Sequence, residues 1–467
     1  MSRIGATISG LEQLFLTHLQ QVDDAALNSA IRLATGKQIP DPSFDPSGFV
    51  LVSGFESHLN VLEGTKQQVD LAANIGSESQ LAIDQVRSQL DTIRNALLLD
   101  EKQGLDSENR DAQQAIIDAA IGEIGTSASS DVNGRRYLDG SVNYTYTGKN
   151  SNQISDIQVY ALRETTFSGS VTSAATQSSV AYTGAAGTIN SGDATFTLTG
   201  QRGSAAISVT GGETLTDVAT RINQESHNTG ITAAVAGDQL TLTTVDFGDD
   251  ATIGVNVTNG AFATATVSTG QDAVVTINGK AIASNQVDGN RVSYTDNGSH
   301  VSFEFAAGFT GSFDPVTVSD NNVAKFSLTP DISRVSTLAL PGVQPELLGG
   351  VSGELTDLLS GGSLSGLGSN TSAAIRVVDE ALSKLTLVEG RVDAFADVTV
   401  ASSSKLLDDF IGDTKDVIDS LNSVDEDQES LLLAKNQTLA ASTISALSIV
   451  QQQKFNVLGL VQLIAGI

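Results

Sequence analysis

The chain has 467 residues, of which 40% are hydrophobic but only 5% aromatic, with no Trp, no Cys and a formal net charge of −29. That length allows two to four domains, and their cores must be built mainly from aliphatic residues and Ala. The missing Cys excludes disulfides and thiol chemistry, and the acidic balance disfavours nucleic acid, whose phosphates call for Lys and Arg.

No stretch approaches the roughly 20 apolar residues of a membrane span, so no membrane partner is expected. Residues 1–21 mix Ser, Gly, Glu and Gln into their apolar spacing and lack the basic-then-apolar layout of a cleaved leader. The expectation is a protein that either stays in the cytoplasm or leaves by a route without leader cleavage.

In chain order, Ile4, Ile8, Leu11, Phe15, His18 and Val22 repeat at four-three spacing and predict a helix over residues 4–34. Gly36, Pro40, Pro42 and Pro46 then predict an irregular spacer over 35–48. The longest seam follows: Phe55, His58, Leu62, Thr65, Val69, Ala72, Gly76, Ser79, Ile83, Val86, Leu90, Ile93 and Leu97. Its second half is apolar at the spacing of supercoiling helices, which need partners to cover the stripe. A shorter helix is expected over 107–124, capped by Asp106 or Ser107, with Ala115, Ile116, Ala119 and Ala120 on one face.

From about Tyr144 the composition turns to Thr, Val, Ser, Gly and Ala, and the period drops to two. Turn pairs at Gly237-Asp238, Asn278-Gly279, Asp288-Gly289 and Asn297-Gly298 separate the runs, which predicts an all-β insert of one or two small modules. One helix, residues 214–226 with Leu215, Val218 and Ile222 on a face, interrupts it. A Gly/Ser/Leu linker is expected over 349–369. Helical seams then return: Ile375, Val378, Leu382, Leu385 and Val392, and after a polar gap Leu406, Phe410, Val417 and Val424. A last helix opens at Asp425-Glu426-Asp427, acidic residues suited to a helix N-terminus, and residues 455–467 carry no charged side chain.

Helices at both ends around a β insert predict an α+β fold, with the N- and C-terminal helices paired in a long coiled-coil-like bundle. The expected division is 1–45 plus 425–467 as terminal helical assembly segments, 46–150 plus 345–424 as a helical rod, and 151–344 as an outward-facing β insert. Ile83, Val86, Leu90, Ile93, Leu97, Ile375, Val378, Leu382 and Leu385 are the expected rod core. Ile4, Ile8, Leu11, Phe15, Val22, Leu439, Leu447, Val450, Phe455, Val457, Leu458 and Leu460 are the expected surface for neighbouring copies. Large exposed apolar surface marks an interaction site, and a heterologous contact that does not close builds a filament. The same seams could serve only as the core of a helical domain. His18, His58, His227 and His300 are scattered without ligand spacing, and no acid–base or nucleophile constellation assembles, so neither metal, cofactor nor catalysis is expected. The acidic run Asp246 to Asp250 could hold calcium, though a β-turn explains it as well.

The terminal segments resemble the flagellin family, which includes filament subunits and the related hook–filament junction proteins. The resemblance rests on Arg32-Leu-Ala-Thr-Gly-Lys-Gln-Ile39, on Asn133-Gly134 with Leu138-Asp139-Gly140, and on Val424-Asp-Glu-Asp-Gln, Leu433-Ala-Lys-Asn-Gln437 and Asn456-Val-Leu-Gly-Leu460. Ile222-Asn-Gln-Glu-Ser, Thr229-Gly-Ile-Thr-Ala-Ala-Val and Gln239-Leu-Thr-Leu-Thr are similar to a small β motif of flagellins and hook-associated proteins. The resemblance implies a secreted, self-assembling, non-catalytic filament subunit of the bacterial flagellum. Its implied partners are copies of itself, the flagellar export apparatus with an export chaperone, and hook-associated proteins. Phe44-Asp45-Pro46-Ser47 departs from the filament pattern, and Pro42-Ser43-x-Asp45-Pro46 leans toward the junction proteins. A secreted adhesin-like β protein on a helical stalk is the alternative from another class.

Overall fold

The computed structural model describes residues 2–465 apart from 263, 265, 332, 366 and 369; side chains are described for the same residues less 2–9, 102–103, 461 and 463–465. The chain forms two compact units, one of Met1–Asp70, Ser327–Arg334 and Ser402–Ile467, the other of Leu71–Phe326 and Val335–Ala401.

The first unit is helical. Helix α1 (Ser2–Thr35) is followed by the start of α2 (Pro46–Gln103), which opens on Pro46 rather than after it, because a proline lacks the N–H that the first helical turn leaves unpaired. Here the expected spacer shrinks to residues 36–45. Six helices complete the numbering: α3 (Ser107–Ala128), α4 (Leu215–Gln224), a single turn α5 (Ser226–Thr229), α6 (Thr371–Asp393), α7 (Ala401–Asn422) and α8 (Glu426–Ala465). In the first unit α1 and α8 run antiparallel, as the pairs Glu12–Lys454 at 2.9 Å and Arg32–Glu429 at 3.7 Å show. The start of α2 lies antiparallel to α7 through Lys66–Asp408 and Glu63–Lys415, both 3.0 Å.

The expected α7 seam is corrected. Leu406, Phe410 and Val417 are exposed, while Leu407 and Thr414 are buried. The cause lies just upstream. The expected polar gap is instead a π-helical stretch, Ala394–Val400, with Phe395 and Val400 buried five residues apart. A wider turn inserts residues into the helical count, so the inward stripe beyond it moves on by one position. A search at α-helical period cannot follow that shift.

In the second unit α2 continues beside α6, again antiparallel, with Arg94–Asp379 and Gln80–Asp393 at 2.8 Å and Arg87 paired with Glu389. Ile83, Val86, Leu90, Ile93, Leu97, Ile375, Val378 and Leu385 are each at most 1% exposed; Leu382 is half-buried. Gly76 permits a close approach, since a Cβ there would stand 2.8 Å from Ala396 Cβ. Buried Asp100 accepts from Arg110 Nε at 2.8 Å and Thr371 Oγ1 at 2.7 Å, which ties the starts of α3 and α6 to the end of α2. Asp106 caps α3 as expected, accepting from Asn109 N–H at 2.9 Å. The buried face of α3 includes Ile117, Ala120, Ile121 and Ile124; of the expected face only Ala120 is buried, while Ala115, Ile116 and Ala119 are exposed. Isoleucines offer more apolar area per position than alanines, and they decide which side turns inward. Residues 349–369 are no free linker either. Leu355 and Leu358 are buried, and Asp118 of α3 accepts from the Ser360 N–H and hydroxyl at 3.0 and 2.5 Å.

The β region holds two modules with separate cores, one nested in the other. The outer module pairs a five-stranded sheet, in the order Lys280–Ala281, Val274–Ile277, Thr166–Ser173, Gly311–Ser319, Thr145–Thr147, with a four-stranded one around Ser299–Phe305. Phe167, Tyr294, Phe303, Phe305 and Phe313 fill its core. The inner module leaves this sheet after Ser173 and returns at Val274, and those two edges pair with each other, Val171 opposite Val275. It contains sheets of three and four strands and α4, whose Leu215, Val218 and Ile222 pack with Phe196, Leu198, Ile207, Leu240 and Leu242. The alternating strand period and the face of α4 are those expected from the sequence.

Candidate assembly surface

The segment Arg32–Ile39 turns the chain between α1 and α2. Gly36 supplies the left-handed residue, φ +66°, that ends α1, and its N–H donates to the Arg32 carbonyl at 2.8 Å. The next residues are stitched to the α7–α8 connection: Gln38 N–H donates to the Asn422 carbonyl at 2.6 Å, Ile39 N–H to Asn422 Oδ1 at 2.8 Å, and Val424 N–H to the Gly36 carbonyl at 3.3 Å. Arg32 clamps this joint. Its Nε donates to the Gln38 carbonyl at 3.0 Å, its guanidinium lies 5.4 Å from the centre of the Phe44 ring, and it pairs with Glu429, whose side chain is 7% exposed. The two chain ends therefore meet as an antiparallel helix pair locked at one end by main-chain bonds. Asn422 and Glu429 were not singled out by sequence reasoning; only the fold reveals that they face the Arg32 segment.

Along α8 the inward residues are Glu429, Leu433, Asn436, Ala440, Thr443, Leu447 and Val450, at strict four-three spacing; along α1 they include Glu12, Phe15, Leu19, Val22 and Ser29. Small and polar residues (Ser29, Asn436, Ala440, Thr443) alternate with the apolar ones in this seam, while many bulky apolar side chains face outward. Leu14, Leu27, Leu431 and Phe455 are 64, 60, 70 and 75% exposed, and Leu11, Leu16, Leu432, Leu439, Ile444, Ile449, Val457, Leu458 and Leu460 are exposed with them. The expected interface residues thus divide. Leu11, Leu439, Phe455, Val457, Leu458 and Leu460 are exposed; Phe15, Leu447 and Val450 are half-buried; Val22 is closed inside the unit and has no surface to offer a neighbour. The side chains of Ile4 and Ile8 lie outside the described residues.

Within the same unit Lys66 stands between Asp70 at 3.4 Å and Asp408 at 3.0 Å. Burial works against its charge, but the two carboxylates outweigh it and hold the ammonium above the usual lysine range.

Among the described residues no group of three or more His, Asp or Glu could hold a metal ion, and no helix is long and apolar enough to cross a membrane. His227 lies 3.0 Å from Glu101, His300 is 3.2 Å from Ser293 Oγ, and His18 and His58 are exposed. Asp246 pairs with Arg202 at 3.3 Å, and the Asp249 N–H donates to Asp272 Oδ1 at 3.2 Å, so the acidic run is spent on turn and ion-pair contacts.

Two family models match the chain. The bacterial flagellin N-terminal helical region matches residues 11–143, which span most of α1, all of α2 and α3 and the hairpin at Asn133-Gly134. The flagellin hook IN motif matches residues 195–246, which fall within the inner β module and include α4. No curated protein matches the chain in sequence. Among solved structures, the D2-D3 domains of the flagellar cap protein FliD from Escherichia coli are 17% identical, covering 38% of this chain and 98% of that one at a TM-score of 0.29. FlgL from Xanthomonas campestris is 11% identical over 78% of this chain and 98% of that one, TM-score 0.28. The flagellar junction protein FlgL from Legionella pneumophila is 10% identical over 80% and 99%, TM-score 0.28. The two family models carry the assignment. A flagellin N-terminal helical region at one end and a hook IN motif in its β insert mark the chain as a filament or hook-associated structural protein of the flagellum.

Proposed function

We propose that the protein is a subunit of the flagellar filament and polymerises through the outward faces of α1 and α8. The observation that carries this is the inverted helix pair, whose outer faces carry large apolar side chains that its own seam leaves uncovered. Water contact on such faces is costly, at about 25 cal/mol per Å² of apolar area, and copies stacked side by side relieve it. In this reading residues 1–45 with 425–467 form the assembly segments, 46–150 with 345–424 the rod, and 151–344 the outward-facing insert. Its role is structural and not catalytic. It leaves the cell through the flagellar export apparatus with a chaperone, and works outside the cell with hook-associated proteins at the filament base.

The test is deletion of residues 455–467 followed by seeded polymerisation and electron microscopy. The truncated chain is expected to stay monomeric; filaments of normal yield would overturn the assignment of the surface. A second reading is favoured by Phe44-Asp45-Pro46-Ser47, which departs from the filament pattern: a hook–filament junction subunit. Counting copies per isolated flagellum separates the two, since a junction protein is present in few copies and a filament subunit in great excess.

A further inference from the structure

The chain contains four Asn-Gly pairs, and three of them sit at the tips of two-residue hairpins with nearly the same backbone. The φ values are 55° and 81° at Asn133-Gly134, 48° and 77° at Asn278-Gly279, and 46° and 79° at Asn297-Gly298. Such left-handed pairs are what the turn requires. What differs is the side-chain amide. Asn278 Nδ2 donates to Glu164 Oε2 at 3.1 Å and to the Thr166 carbonyl at 3.3 Å, and its Oδ1 accepts from Ser168 N–H at 3.0 Å. Asn297 Nδ2 donates to Glu164 Oε1 at 2.6 Å. One carboxylate, itself held by the Tyr294 hydroxyl at 2.7 Å, therefore grips both amides. The Asn133 amide is exposed and has no partner among the described residues, while Gly134 N–H donates to Asp131 Oδ1 at 2.6 Å.

We propose that Asn133 is a site of spontaneous deamidation, and that Glu164 protects Asn278 and Asn297 from the same reaction. The Gly134 nitrogen attacks the Asn133 side-chain carbonyl carbon; a C–N bond forms, the amide C–N bond breaks, and ammonia leaves. The Gly134 proton passes to the Asp131 carboxylate and on to the departing ammonia. Water then opens the cyclic imide at either carbonyl and leaves aspartate or isoaspartate, with one added negative charge on the hairpin at Asp131–Arg136. At Asn278 and Asn297 the same attack requires the amide to rotate away from Glu164. Losing charge-assisted hydrogen bonds to do so slows the reaction by about tenfold or more.

The experiment incubates the full chain at mildly alkaline pH and follows the one-dalton mass gain at each Asn by peptide mapping, with enzymatic methyl labelling of isoaspartate. In the parent chain Asn133 is expected to convert at least about tenfold faster than Asn278 and Asn297. In Glu164→Ala the two protected positions should accelerate severalfold and Asn133 stay unchanged; in Tyr294→Phe, which spares both amide contacts, all three should keep their parental rates. If Glu164→Ala does not fold by circular dichroism, Glu164→Gln, with a weaker neutral acceptor, should show a smaller acceleration at the same two positions. Equal rates at the three turns in the parent chain, or parental rates at Asn278 and Asn297 in the folded Glu164 variant, would overturn the proposal.

Discussion

Replacing Arg32 by Ala removes three things at once from the joint between the chain ends. The first is the bond from Nε to the Gln38 carbonyl at 3.0 Å; charged donors contribute about 1.5–3 kcal/mol, less here because the carbonyl can turn to water. The second is the guanidinium over Phe44 at 5.4 Å, worth about 0.5–1 kcal/mol at a partly exposed site. The third is the partner of Glu429, and leaving a fully buried carboxylate unpaired costs about 3–5 kcal/mol. Arg32 itself is 27% exposed and the pair is 3.7 Å apart, so the screened value lies well below that. These contributions overlap, and the joint loss is about 2–4 kcal/mol. With a urea slope of about 2 kcal/mol per M, the helical unfolding midpoint of the monomer should fall by about 1–2 M, read by circular dichroism. Arg32→Lys, which keeps the charge but loses the planar fork, should recover part of the loss. Glu429→Gln introduced beside Arg32→Ala should also recover some stability, because it removes the stranded charge. A loss below about 0.5 kcal/mol, the range of ordinary surface substitutions, would refute the idea that Arg32 clamps the joint.

Gly76→Val should loosen the packing of α2 at Ala396, because a Cβ there stands 2.8 Å from the Ala396 Cβ; overpacking costs about 1–3 kcal/mol, visible as a lower thermal midpoint of the second unit. Phe196→Ala should destabilise the inner β module by about 3–5 kcal/mol, since Phe196 is 0% exposed and stacks on Phe262 at 4.4 Å; hydrogen exchange on residues 179–269 would detect it, while exchange in α8 should not change. The bond from Arg221 holds the Glu213 carboxyl below its ordinary 4.5. A depressed acid stabilises the fold fully above that value, and the gain is lost as pH falls from 4.5 through the lower folded value. Glu213→Gln should therefore flatten the acid limb of the stability curve in that window, and an unchanged limb would count against the pair.

Much of the architecture was legible because it rests on period alone. The three-four spacing from Leu62 to Leu97 and the two-residue alternation after Tyr144 identify helix and strand without reference to anything distant, and the Asn-Gly pairs mark hairpin tips because few other residues accept left-handed backbone. The candidate surface was legible only in part. Its apolar residues could be named, but not which of them the protomer keeps for itself: Val22 and Leu11 look alike in sequence, yet one is closed in the helix pair and the other faces solvent.

Amphipathic spacing by itself determined that both ends are helical, that they need partners, and that a β insert lies between. Local hydrogen bonding and side-chain area act within a few residues, so they leave a direct trace in the order of amino acids. Only the tertiary structure decided the one-residue shift of the α7 stripe after the π-helical turn, the nesting of one β module inside another, and the clamp of Arg32 on Gln38, Phe44 and Glu429. Each of these depends on groups brought together from distant parts of the chain or on a helical pitch set by packing, and neither cause has a signature in any short window of sequence.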